Sequence, residues 1–384
     1  MQTEKLSRDV QRELARLTKT DPADWFLVFR ARQGIEVVLH ALAETRGAGE
    51  VITQAFTCAT ALNPILSAGH IPVYIDSTYA DLSLDTSHLQ TSAETRALVM
   101  QHTFGLESNM KKARSFANKH SLLLLEDSAH QLGMMSRADG EPIADISVHS
   151  FGVEKMLPTK FGGAIWVNPA LKDRELREAI TAAFSSLPII GRKTRGLARR
   201  YRPLNAFLNR TPAFLVPLAR TIFVTTGLFE PAIMPEELRG KSHGKPATPN
   251  GFILKAMLEG LKKYNSVLSK RRLVTSEYLQ NPPSNLMLPK HIPENYAPVR
   301  FPLLCENIAE ATRLFNVLRE EKHYSGRWYR PVIFPGTISP ELYNYDPELC
   351  PVAEDISARI LNLPTNITPQ EAKEILDVLH RETD

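Results

Sequence analysis

Six short apolar segments follow one another between residues 50 and 168, most of them separated by a stretch with helical spacing, and this alternation constrains the fold more than any other property of the chain. Glu50–Gln54 (EVITQ), Pro72–Asp76 (PVYID), Ala97–Thr103 (ALVMQHT), Leu122–Asp127 (LLLLED), Asp145–Phe151 (DISVHSF) and Gly162–Asn168 (GGAIWVN) read as strands. Several are apolar almost throughout, as strands covered on both faces are. Helices are expected between them at Ile35–Glu44, Ala59–Ala68 and Met110–His120. Repeated strand–helix–strand order means a mostly parallel sheet with right-handed crossovers. Ligands of such sheets bind at the carboxyl ends of the strands, so chemistry is sought there.

At 384 residues the chain has room for two domains, and a division near Asn250 separates a large domain, 1–250, from a small C-terminal one, 251–384. With 43% hydrophobic and 23% charged residues it reads as an ordinary globular chain, neither disordered nor a coiled coil. Lys+Arg 46 against Asp+Glu 42 leaves +4, too little to imply nucleic acid. The three cysteines, Cys58, Cys305 and Cys350, are widely spaced and form no CxxC pair. Neither a disulfide framework nor a metal site is expected, and a reducing, cytoplasmic setting is. The opening MQTEKLSRDVQREL lacks the apolar core of a secretion signal.

From Ala179 through Phe229 there is no Asp or Glu but eight Lys/Arg, six of them in Arg192–Arg202 (RKTRGLARRYR). The apolar run that follows is interrupted by Pro212, Pro217 and Arg220, short of the roughly 20 residues a membrane span needs. The stretch 179–245 is therefore read as an insertion against a partner subunit, the rival reading being association with a membrane surface or a lipid-linked substrate. Phe252–Arg272 has the spacing of one amphipathic helix, and Ile308–Glu321 and Pro369–Arg381 are helices of the remainder.

Asp127 ends the strand LLLLED, where a carboxylate faces a bound ligand. A carboxylate beside a pyridinium nitrogen keeps that nitrogen protonated, and the ring then accepts electrons. Taken alone, Asp127 is as readily a cap for the next helix. The run DISVHSFGVEK brings Lys155 into a loop on the same sheet edge. A partly desolvated lysine loses its proton and condenses with an aldehyde cofactor, whereas an ordinary loop lysine is merely solvated. Ser150 offers a hydroxyl to a phosphate. Two such groups on adjacent strand ends strengthen the cofactor reading of each.

The ordered motifs EDSAHQLG, SFGVEK and FGGAIWVN resemble the DegT/DnrJ/EryC1/StrS family of pyridoxal 5'-phosphate (PLP) enzymes, chiefly sugar aminotransferases. Upstream, EVITQAFTCATALNPILSAGHIPVYIDS and QHTFGLESNMKKARSFANKHSLLLLEDSAHQLG are similar to the same family. The likeness runs from Gly34 to Asn168 and continues more weakly through ARILNLPTNIT. It implies an α/β chain of PLP-dependent transferase fold type I: a large domain with a mostly parallel mixed sheet flanked by helices, and a smaller C-terminal α+β domain. By this resemblance Lys155 carries the cofactor, Asp127 lies under the pyridine nitrogen, His130 contacts the phenolic oxygen and Ser150 binds the phosphate. Arg32 and Gln33 stand where the family has a Gly-Thr-like turn, whose backbone N–H groups meet the phosphate at a helix start. Cys58 takes the place of an aromatic that stacks on the ring, with Phe56 near enough to make up for it. No equivalent of the family's Asn-Tyr-Arg-like segment stands near Pro246–Thr248. The substrate side, GRWYRP (Arg327, Trp328, Arg330), departs from the usual His-containing pattern.

Lys160 competes with Lys155, but the spacing from Ser150–Phe151 favours Lys155. Relatives with histidine there resemble dehydratases, so a lysine argues for transamination. The resemblance thus implies a homodimeric aminotransferase with L-glutamate as donor and a nucleotide-linked keto-sugar as acceptor, in amino-sugar, surface-polysaccharide or secondary-metabolite synthesis. The alternative is a PLP-binding protein of the same fold with a lyase or dehydratase activity, or with a regulatory and non-catalytic role.

Overall fold

A computed structural model of the chain describes residues 2–157, 159–212, 214–337 and 340–383. Helix α1 (Gln2–Thr18) leads to β1 (Trp25–Val28), α2 (Ala31–Arg46), β2 (Glu50–Gln54), α3 (Ala59–Ser67) and β3 (Ile71–Ile75). Then come β4 (Thr95–Gln101), α4 (Met110–His120), β5 (Leu123–Asp127), β6 (Ile146–Ser150) and β7 (Gly163–Val167). The seven strands form one sheet in the order β1-β7-β6-β5-β4-β2-β3. From β3 through β6 the neighbours pair in parallel, and β7 runs antiparallel to both β6 and β1. The carboxyl ends of β1, β4, β5 and β6 and the amino end of β7 therefore share one edge. In register there, Gln101 lies opposite Asp127, Ser150 opposite Gly163, and Arg30 opposite Gly162.

The two-residue period of a strand decides which neighbours face the site. Leu123 and Leu125 pack with Ile146, Val148 and the helix α2 residues Val38 and Leu42 on the front of the sheet. Leu124 packs behind it with Met110, Ala113 and Ala117 of α4. Continuing that alternation, Asp127 and Ser150 emerge on the front, and Glu126, Ser147 and His149 on the back.

Helices α5 (Arg174–Ser185), α6 (Arg192–Arg210) and α7 (Val216–Thr225) follow. The acid-free stretch is thus helical. On α6 it buries Ala198, Tyr201 and Leu208. Around α7 it leaves Phe214, Leu218 and Ile222 exposed, at 80%, 61% and 48%. Among the described residues no helix is long and apolar enough to cross a membrane.

The single amphipathic helix expected at Phe252–Arg272 is instead two, α8 (Gly251–Lys262) and α9 (Tyr264–Gln280). The break is local: the Lys263 N–H bonds to the Gly260 carbonyl, three residues back, which tightens the last turn of α8. The Asn250 side chain caps α8 by accepting from Phe252 and Ile253 N–H at 3.1 and 3.2 Å. Helix α8 packs on α1 and the large sheet, where Met257 lies against Gly162. At Gly162, φ is +113° and a Cβ would come within 2.7 Å of the Met257 sulfur, so only glycine turns the chain into β7 here. The expected division at 250/251 falls at this cap.

The C-terminal part pairs β8 (Arg300–Leu304) with β9 (Ile360–Pro364) antiparallel, surrounded by α9, α10 (Ile308–Glu320), α11 (Pro351–Arg359) and α12 (Pro369–Thr383). It shares one buried apolar cluster with the preceding part of the chain, Leu62 and Ile65 with Tyr343 and Ala353 among its members, and is joined to it by polar contacts as well. Asp76, just beyond β3, accepts from the Val352 and Ala353 N–H groups at the start of α11, at 2.9 and 2.8 Å.

Candidate active site

A cavity of about 230 Å³ opens at the carboxyl edge, walled by Asp127, His130, Ser150 and Lys155 of the large domain and by Trp328 and Tyr329 of the C-terminal part. Asp127 is buried, and its Oδ1 accepts from the Ala129 N–H at 2.9 Å. Burial lifts its carboxyl above the usual range, with the Ala129 N–H and the Lys155 ammonium pulling it back. Lys155 is pushed the other way. Burial lowers its ammonium's pKa, against the pull of Cys58, Asp127 and Glu154. Its Nζ lies 5.4 Å from the centre of the Trp328 ring. Ser150 Oγ accepts from the Gly152 N–H at 3.2 Å and keeps its own hydrogen for a ligand. Lys160 also lines the cavity.

The predicted residues divide into two groups. Asp127, His130, Ser150, Lys155, Cys58, Arg32 and Trp328 meet at the cavity; Gln33, Arg327 and Arg330 do not. The Gln33 amide nitrogen donates to the Lys245 carbonyl at 3.2 Å, while its Oε1 is buried with no partner among the described residues. Arg327 and Arg330 both donate to the Ala358 carbonyl, at 2.7 and 3.1 Å, and so face α11. The Arg32 side chain is likewise committed, to Glu237 at 3.0 Å and the Ala232 carbonyl at 2.8 Å. Cys58 caps no helix group and contacts Thr60 Oγ1 at 3.1 Å. Phe56 does not replace the aromatic that Cys58 lacks: it is fully buried, edge-on to Tyr329. The aromatic wall comes from Trp328, stacked on the His130 ring at 5.4 Å.

His130 departs from expectation in detail. Its Nδ1 accepts from the Phe104 N–H at 3.0 Å and its Nε2 lies 2.8 Å from the Tyr329 hydroxyl. With both nitrogens engaged, neither remains to meet a ligand's oxygen.

Several wall residues escaped the sequence reading. Arg30, directly before α2, is buried and ion-paired with Glu230, and burial lowers its pKa to about 9. Its Nη1 has no partner among the described residues. Tyr201 of α6 and the segment 230–233 cover the cavity. The only available signal was position: Arg30 sits where the front strand hands over to a helix start. Behind the sheet, Glu126 accepts from His102 Nε2 at 2.8 Å, the Ser136 N–H at 2.7 Å and Ser147 Oγ at 3.1 Å. Burial alone would lift its pKa, but these donors hold it below the usual value.

Residues 26–196 match the model of the DegT/DnrJ/EryC1/StrS aminotransferase family. The match covers a little under half of the chain and includes the strands that carry Asp127 and Ser150 and the loop that carries Lys155. Two curated relatives each align with about a third of the chain. The lipopolysaccharide biosynthesis protein RfbH of Salmonella typhimurium is 30% identical over 136 residues, 34% of this chain and 30% of its own. GDP-perosamine synthase of Vibrio cholerae is 27% identical over 139 residues, 35% of this chain and 37% of its own. This chain spans 30% to 40% of the length of the curated relatives it matches. In three dimensions the likeness is wider. NtdA of Bacillus subtilis, solved with bound cofactor PMP, superposes with a TM-score of 0.67 at 18% identity, covering 96% of this chain and 76% of that one. The likeness to the family thus spans the sheet edge that carries Asp127, Ser150 and Lys155, and the likeness in fold extends beyond it.

Proposed function

We propose that the protein is a PLP-dependent aminotransferase that moves an amino group from an amino acid, L-glutamate by family resemblance, to a nucleotide-linked keto-sugar in amino-sugar or surface-polysaccharide synthesis. The observation that carries this reading is the convergence of Asp127, Ser150 and Lys155 on one cavity. The match to the aminotransferase family, the likeness to a GDP-perosamine synthase and to a lipopolysaccharide biosynthesis protein, and the fold shared with a PMP-bound structure support it.

The residues fit the cofactor's two charged ends. A buried carboxylate with one backbone donor, Asp127, is suited to a cationic ring nitrogen. Arg30 Nη1, buried without a partner, and the Ser150 hydroxyl are suited to a phosphate, at the start of α2 where the helix dipole favours an anion. Bound there, PLP would supply an electrophilic carbon for the amine and a ring able to take up the electron pair left on the substrate carbon when its α-proton departs. Lys155, its amine favoured over its ammonium by burial, takes that proton at Nζ and returns it to the neighbouring carbon. Asp127, whose charged form the Ala129 N–H and Lys155 favour against burial, would hold the ring's positive charge in position. Trp328, whose ring centre lies 5.4 Å from Lys155 Nζ, and Tyr201 with residues 230–233 supply much of the apolar wall around the amine.

The test is spectral. Purified protein supplied with PLP is expected to carry a lysine-linked chromophore that Lys155→Ala abolishes and Lys160→Ala keeps. A chromophore that survives Lys155→Ala overturns the assignment. We further propose a homodimer. The family resemblance and the uncovered Phe214, Leu218 and Ile222 side chains support it, and a molar mass in light scattering equal to one chain refutes it.

A further inference from the structure

The orientation of His130 is dictated by a group that has no choice. A backbone N–H only donates, so the Phe104 N–H at 3.0 Å requires a lone pair on His130 Nδ1. The ring is buried and held neutral, and its one hydrogen is therefore on Nε2, where Tyr329 Oη at 2.8 Å accepts it. The Tyr329 hydroxyl, also kept protonated by burial, still has its own hydrogen to give. Aromatic rings pack against the Tyr329 ring, Phe56 at 5.3 Å and Phe334 at 6.0 Å between centroids.

Three other histidines are set in the same way, and the comparison is informative. His102, His149 and His70 take a backbone N–H from Ser108, Gly133 and Gly49 on Nδ1. Their Nε2 hydrogens end inside the protein: His102 on Glu126, His149 on Ser147, which passes its own hydrogen to Glu126, and His70 on the Leu39 carbonyl. Among the described residues, the chain through His130 and Tyr329 alone reaches a cavity wall with its last hydrogen unassigned.

We propose that Tyr329 is a ligand-contacting residue of this site: its hydroxyl donates a hydrogen bond to the ring oxygen of the bound hydroxypyridine, a place that His130 fixes but does not fill. This rests on the reading that the cavity takes PLP. The charged and titratable groups facing that hydroxyl are Asp127, Arg300 and Cys58. None of them donates to it. A donor on a phenolic oxygen stabilises its ionised form, so removing the donor makes the oxygen harder to ionise.

The experiment compares the wild type with Tyr329→Phe, both loaded with PLP, titrating the absorbance of the bound chromophore against pH. The midpoint is expected to rise by about one unit in the variant, a tenfold weaker acid. An unchanged midpoint in a loaded variant overturns the Tyr329 contact while leaving the PLP reading intact. A wild-type protein that takes up no chromophore overturns that reading and the contact with it. A measurement on the cofactor-free protein tests the premise separately. Histidine 15N resonances are expected to report His130 protonated at Nε2 and bare at Nδ1, and the reverse tautomer refutes the proposal.

Discussion

The hydrogen bonds that keep Glu126 charged in a dry interior also fix the state of its neighbour His149, and a titration follows. His149 is fully buried, and burial lowers its pKa from 6.5 to about 4, with Glu126 pulling it back up. Its folded value lies below its unfolded one. The fold therefore has its full stability above about pH 6.5 and loses it as pH falls toward 4, where only the unfolded chain has taken up the proton. That difference corresponds to about 3 kcal/mol. His130 is depressed in the same direction and adds to the same limb. Urea unfolding between pH 7.5 and 4 is expected to show this loss, and His149→Gln to flatten the slope by roughly half. An unaltered slope in the variant argues against a neutral His149. At this scale, legibility in the sequence depended on reach. Asp127 and Ser150 could be read because short side chains at strand ends go where the backbone alternation sends them, and Lys155 because its spacing from Ser150–Phe151 marks it. Arg327 and Arg330 could not, because a guanidinium reaches several ångströms to whichever carbonyl is near, here that of Ala358. Tyr329 lies 199 residues from His130, and no local pattern links them.

Elements were legible where a hydrophobic period ran long enough to be distinctive. Helix α4 and strand β2 coincide with the expected Met110–His120 and Glu50–Gln54, and the other five strands differ by one or two residues at their ends. Helix α4 is marked by its cap, since Asn109 accepts from the Lys112 N–H at 3.2 Å. Strand β1 was missed because four residues between a turn and a helix carry too little alternation to stand out; its pairing with β7 is what makes it a strand. The two-helix form of α8 and α9 was equally hidden. The apolar spacing continues through Lys263, and only the packing of α8 on α1 and of α9 on α12 sends the halves to different partners. In 179–229, composition gave the absence of acids but not the consequence, which is that a tyrosine from α6 reaches the cavity wall.

The whole molecule is joined at Tyr343, which is fully buried where three distant segments meet. Its hydroxyl donates to Asn63 Oδ1 of α3 at 2.7 Å, while Asn63 Nδ2 donates to the Glu237 carbonyl at 2.8 Å. The Glu237 side chain in turn pairs with Arg32 at the start of α2, on the cavity wall. Besides Trp328 and Tyr329 in the cavity wall, the C-terminal part thus reaches the start of α2 through Tyr343, Asn63 and Glu237, whose carbonyl the Tyr343 hydroxyl also approaches at 3.0 Å. Tyr343→Phe keeps the ring and its packing but leaves Asn63 Oδ1 buried with no donor, a cost of about 1–3 kcal/mol. Asn63→Ala removes the acceptor as well, so the double variant is expected to lose less than the sum of the two single ones by about 1 kcal/mol. Urea midpoints with an unchanged slope measure both quantities. Strict additivity, or a Tyr343→Phe protein as stable as the wild type, means that the hydroxyl and the amide do not act together. Because Glu237 is shared, amide hydrogen exchange at the start of α2 is expected to quicken in the same variant, although Arg32 lies more than 300 residues from the substitution. Such an effect requires the two parts of the chain to be held as one body through this contact.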